Sequence, residues 1–192
     1  LSATAADNVA IGGVQFLVDG NPLGSEDTTS PYSISWNTTT ATSGTHTLQA
    51  RARDTSGNTA TTLAISVVVD NVAPTGTVVI NNNATATNTA TVILALTASD
   101  TQGSVTQMRF SNDGATYSAA ETYATAKTWT LAGGDGTKTV YVQFQDAAGN
   151  WSSAATDTIV LDTTAPSISA ITTTVVTSSS VTIAWTTNEP ST

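Results

Sequence analysis

The stretch VVVDNVAPTGTVVI, residues 67–80, decides how the chain is divided. It reads as strand, aspartate, a short link ending in Ala-Pro, then strand, and its middle returns as IVLDTTAPSISAI at residues 159–171. A catalytic loop is usually written once in a chain, whereas a joint between stacked units is written at every junction. Proline holds the residue before it in an extended conformation, so Pro74 and Pro166 make each link short and restricted.

Working outward, other segments repeat in the same register. RARDTSGN (51–58) matches QFQDAAGN (143–150), GTHTLQA (44–50) matches GTKTVYV (136–142), and each pair lies 92 residues apart. TAADNVAIGGVQFLVDG (4–20) matches TASDTQGSVTQMRFSNDG (97–114), with Asp7 and Asp100 separated by 93. A period near 90 residues is too long for a solenoid repeat and fits a whole β-sandwich of about seven strands.

The local patterns agree. Thr and Val, which suit a pleated and half-buried surface, are interrupted at short intervals by Gly, Asn, Asp and Pro, and no window carries a capped helical period. TATVILALTASD (89–100) places Val92, Leu94, Leu96 and Ala98 on one face, and KTVYVQFQD places Val140, Val142 and Phe144 inward. Asp19-Gly20 and Asp113-Gly114 read as hairpin turns. Trp36 and Trp129 occupy matching places and read as core fillers, because their neighbours alternate. The fold class expected is all-β, as tandem immunoglobulin-like β-sandwiches.

Composition removes several functions. Five basic residues face fourteen acidic ones, a formal charge of −9. Arg51, Arg53, Arg109, Lys127 and Lys138 are too few and too scattered to displace phosphate counterions, so no nucleic-acid partner is expected. There is no cysteine for disulfides or thiolate metal sites, and no apolar run of about 20 residues for membrane insertion. Gly-x-Ser-x-Gly, zinc-ligand spacing and phosphate-binding loops are missing, and the one histidine, His46, stands where Lys138 stands in the next repeat. His46 is therefore expected to pack at a strand edge, and no enzymatic activity is expected.

Residues 2–61 carry Ala-x-Asp-Asn, Val-x-Phe-x-Val-Asp-Gly, Pro-Tyr-x-x-x-Trp, Gly-x-His-x-Leu and Ala-x-Asp-x-x-Gly-Asn in order. This resembles the bacterial immunoglobulin-like domain, which occurs in tandem in large secreted and cell-surface proteins. The second repeat is similar but looser: the Pro-Tyr is missing and Lys138 replaces the histidine. The tail APSISAITTTVVTSSSVTIAWTTNEPST (165–192) resembles the opening strands of a fibronectin type III-like domain. The division expected is 1–70 for a first domain lacking its first strand, 71–162 for a second, and 163–192 for the start of a third. The resemblance implies an extracellular location, in a bacterium or archaeon.

In an immunoglobulin-like fold the chain enters at the end that carries the B–C and F–G loops. Asp100 and Asp146 fall in those loops, and Asp70 and Asn71 in the entering linker. Three carboxylates and an amide would then converge at the junction, an oxygen-rich set suited to calcium, the one cofactor the chain suggests. The competing reading makes the same residues turn formers: Asp caps a turn through its side chain, and Gly and Asn tolerate positive φ.

The function expected is a structural spacer, in an adhesin or stalk, whose partners are neighbouring immunoglobulin-like domains of the same or an adjacent chain. Two alternatives stand beside it. In one, accessory modules of a secreted glycoside hydrolase touch polysaccharide, or another cell-surface ligand, through Tyr117 and Trp151. In the other, copies exchange strands to build an extracellular filament.

Overall fold

The structure, a computed structural model, describes residues 1–188. Glu189 and Pro190 of the fibronectin-like signature lie outside the described residues. In the first unit β1 (Ser2–Ala3), β2 (Ile11–Val18), β3 (Asn21–Pro22), β4 (Tyr32–Ser33), β5 (Gly44–Asp54), β6 (Thr59–Thr61) and β7 (Ile65–Val69) follow in order. The second contains β8 (Thr75–Ile80), β9 (Ala86–Thr87), β10 (Thr91–Ser99), β11 (Val105–Ser111), β12 (Glu121–Thr122), β13 (Ala126–Thr130), β14 (Gly136–Asp146) and β15 (Ala155–Leu161). A hairpin of β16 (Ile168–Val176) and β17 (Val181–Thr187) comes last.

The second unit is a two-sheet sandwich. One sheet runs β13–β10–β8, the other β12–β11–β14–β15–β9, antiparallel except for the β15–β9 pair. Alternation along each strand builds the core. Val92, Leu94 and Leu96 of β10 face Val140, Val142 and Phe144 of β14, all buried, while Ile93 between them is turned outward. Trp129 packs on this core against Phe110 and donates its indole N–H to Asn112 Oδ1 at 2.8 Å. Asp157 reaches across to accept the Ile80 N–H at 2.7 Å, fixing β8 against the β15 side of the sandwich.

The first unit repeats this plan with a smaller core of Val14, Phe16 and Tyr32. Its larger sheet is β3–β2–β5–β6, with β7 also on β5; the facing layer is the short β1–β4 pair, extended where Leu1 and Ile34 exchange two more bonds. Strands β2 and β3 meet through the expected two-residue turn, with Asp19 and Gly20 both at positive φ. Trp36 is only half-buried and meets His46 edge-on, with ring centroids 5.3 Å apart. His46 is itself buried and bonded at both ring nitrogens, more than the strand-edge packing expected of it.

The two hydrophobic clusters share no residue, and residues 70–74 run between β7 and β8.

Candidate metal centre

The geometry at this link starts from the Asp-x-x-Gly-Asn turns. At the end of β14, Asp146 Oδ1 accepts the N–H groups of Gly149 and Asn150, and Asn150 Nδ2 donates to Asp146 Oδ2 at 2.8 Å. Gly149 sits at φ +101, a conformation closed to most side chains. At the end of β5, Asp54 and Asn58 form the same lock, the Asn58 amide donating to Asp54 Oδ2 at 2.7 Å. The turn-forming reading of these residues thus holds in both units.

Asp146 does more than form its turn. Its carboxylate, Asp70 from the link and Asp100 from the β10–β11 loop each offer an oxygen, and the three atoms lie within 4.8 Å of one another. Asp100 Oδ2 accepts the N–H groups of Gln102 and Gly103, and Asp70 Oδ1 accepts the Val72 N–H. Asp100 Oδ1 is shielded from solvent and has no hydrogen-bond partner among the described residues. Burial opposes the charge on Asp146, which is 2% exposed, but donation from the Asn150 side chain and from the turn's backbone N–H groups outweighs it. Its carboxyl is therefore held below the usual range and stays ionised.

At such separations ionised carboxylates repel one another. A divalent cation would relieve that repulsion, and with Asp100 Oδ1 unpartnered the donor set fits a hard cation such as calcium.

The fourth expected ligand, Asn71, spends its N–H groups on the first unit. Its Nδ2 donates to the carbonyls of Thr38 and Ala41 at 2.8 and 3.0 Å, and its backbone N–H to Ser43 Oγ at 2.8 Å. The amide beside the carboxylates is Asn150, whose Nδ2 also donates to the carbonyls of Asp70 at 3.1 Å and Val72 at 3.4 Å. Its signal in the sequence was the recurrence of Asn58 at Asn150, which read only as a turn.

The exit of the second unit repeats the clamp on the preceding loop. Thr163, 92 residues after Asn71, donates its N–H to Asp135 Oδ1 at 2.9 Å, where Asp135 occupies the place of Ser43. Thr164 N–H caps Asp162 as Val72 caps Asp70.

The aromatic candidates are arranged differently from a free platform. Tyr117 and Trp151 are half-buried and hold Arg109 between them, with its guanidinium carbon 4.8 and 4.3 Å from the two ring centroids. One face of each ring is thus taken by a cation–π contact.

With this geometry in view, comparison with known proteins places the first unit. Residues 1–50 match the family model described as bacterial Ig domain. The fold is immunoglobulin-like. The chain is similar in structure to the fibronectin(III)-like modules of Clostridium thermocellum CbhA, with 24% identity and a TM-score of 0.45 over 83% of each chain. It is also similar to a tetra-tandem repeat from the extending region of a large adhesion protein, with 20% identity and a TM-score of 0.32, covering 94% of this chain and 56% of that one. No curated protein matches. No helix among the described residues is long and apolar enough to cross a membrane.

Proposed function

We propose that the chain is a non-enzymatic spacer from a large secreted or cell-surface protein of a bacterium or archaeon, an adhesin or stalk, with junctions stiffened by calcium. One observation carries this reading: consecutive link residues are bonded to opposite units. Asn71 is bonded to the first, while the carbonyls on either side of it, those of Asp70 and Val72, accept from Asn150 of the second. A flexible tether needs no such bonds; a strut does.

Calcium would join Asp70 of the link to Asp100 and Asp146 of the second unit, adding a third restraint at the same corner. Asp162, at the matching place 92 residues on, would serve the next junction. Neighbouring immunoglobulin-like domains are then the natural partners.

The test is the shape and internal motion of the whole chain in solution. Small-angle scattering should give an elongated particle, and amide relaxation should give the two units one common tumbling time in calcium. Independent tumbling of the units in calcium would overturn the reading.

A further inference from the structure

We infer that His46 is a pH-sensitive latch on the first junction: as an imidazolium it holds the 37–43 loop that grips the link, and on losing a proton it loosens that grip. This inference needs no bound cation, so it stands apart from the calcium reading.

The argument begins with the two ring nitrogens. Nδ1 lies 2.6 Å from Asp19 Oδ2 and Nε2 lies 2.8 Å from the Thr42 carbonyl oxygen. A carbonyl can only accept, and an ionised carboxylate can only accept, so both nitrogens must carry protons for both bonds to exist. The other groups around the ring are uncharged. Trp36 meets it edge-on, the 37–43 loop contains no ionisable side chain, Val67 of β7 lies across the ladder, and Asp19 is the charged residue of the β2–β3 turn.

The same loop holds the link. The carbonyls of Thr38 and Ala41 and the hydroxyl of Ser43 all accept from Asn71, while Thr42 accepts from His46. Four neighbouring residues of one loop therefore face a titratable cation on one side and the link on the other. A neutral imidazole keeps one N–H, so either the Thr42 carbonyl or the half-exposed Asp19 carboxylate must then face a lone pair of the buried ring.

The second unit provides an internal control. Lys138, 92 residues on, donates to the Gly133 carbonyl at 3.1 Å, and Asp135 in that loop accepts the Thr163 N–H. A side chain at the matching position again donates to a carbonyl of the preceding loop, but it is a lysine, without the imidazole that carries the latch.

The direction of His46's own titration agrees. The Thr42 carbonyl and the Asp19 carboxylate raise its pKa above the usual 6.5, with burial opposing them. The folded-state value exceeds the unfolded one, so the latch is fully engaged below about pH 6.5 and is lost as pH rises through the raised value. Asp19 is shifted the other way, downward, by the Thr47 N–H and by His46, so its contribution is lost only as pH falls through values below 3.8.

The experiment uses the full chain in the presence of a calcium chelator. The single histidine makes the imidazole NMR titration unambiguous. Hydrogen exchange of the Asn71 amide is followed from about pH 5.5 to 8.5 and corrected for intrinsic rate, with the Thr163 amide as reference. Asn71 protection should fall about tenfold relative to Thr163 as His46 titrates, the effect of one lost charge-assisted hydrogen bond. His46→Lys should hold Asn71 protection level across the range, and His46→Gln should lower it at every pH. Equal behaviour of Asn71 and Thr163 in the unmodified chain would overturn the inference, as would a His46 ring that holds one proton throughout; neither needs a variant to fold.

Discussion

Asn150 donates its side-chain amide to the carbonyl of Asp70, eighty residues earlier in the chain, and with the same group to the carboxylate of Asp146. One amide thus ties the F–G turn of the second unit to the link that feeds it. Its counterpart Asn58 makes the matching bond to Asp54.

Asn150→Ala removes donors to the Asp70, Val72 and Asp146 oxygens together and leaves the buried Asp146 carboxylate under-satisfied. The second unit should lose about 1–3 kcal/mol of stability, read by denaturant unfolding. The same experiment on Asn58→Ala should give a smaller loss, because Asn58 bonds only its own turn here. Equal losses would show that the link bonds contribute nothing.

Asp70→Asn separates charge from shape, because an amide oxygen can still cap the Val72 N–H. Without calcium it should leave the second unit as stable or slightly more stable, since one repelling charge is gone. With calcium at about a hundredfold its dissociation constant, the unmodified chain should gain up to about 2.7 kcal/mol, several degrees of melting temperature for a unit of this size. Asp70→Asn should lose most of that gain, and Asp100→Ala with Asp146→Ala all of it. A melting temperature that ignores calcium in the unmodified chain ends the cation reading.

Gly76 of β8 packs directly against Phe144 of the core. A Cβ there would run into the Phe144 ring and sit 2.5 Å from the Thr97 carbonyl oxygen. Gly76→Ala should therefore cost about 2–3 kcal/mol, the usual effect of forcing a methyl group into a filled core. Thermal unfolding would measure it, and a neutral result would mean that β8 can shift freely on β10.

Acid should destabilise both units through their turns. The Asn58 side chain and turn N–H groups lower the carboxyl of Asp54, and the Ser111 hydroxyl with the Thr116 and Ala115 N–H groups lowers that of Asp113. Asp146 is lowered likewise, against its burial. For groups depressed in the folded state, stability is present above the unfolded value near 3.8 and is lost as pH falls below it. Urea midpoints measured from neutral pH downward should hold above about pH 5 and decline steadily below about pH 4. Chains carrying Asp54→Asn and Asp113→Asn should decline less steeply.

Much of this was legible from residue order alone. Alternation in 92–98 and 140–144 named the buried face of β10 and β14, because strand periodicity is a local property of the chain. Topology extended that reading to Asp70, Asp100 and Asp146: in this fold the F–G and B–C loops share an end with the entering link, so their meeting follows from strand order. Asp19-Gly20 was equally readable, since the φ > 0 demand of a two-residue hairpin selects such pairs.

Side-chain direction along the link was not readable. Asn71 and Asn150 are the same residue type, both expected near loops, and only the path of the extended backbone decides that the first turns back to Thr38 and Ala41 while the second turns forward to Asp70. His46 and Lys138 share a position and a donor role, yet burial against Trp36 and pairing with Asp19 give the histidine its second proton. The order of residues determined which strands form, which faces are apolar and which loops meet, because these depend on local pattern and connectivity. Which oxygen each amide and imidazole finds was decided only by the packed structure, because a hydrogen bond requires placement to within a few tenths of an ångström that no sequence interval encodes.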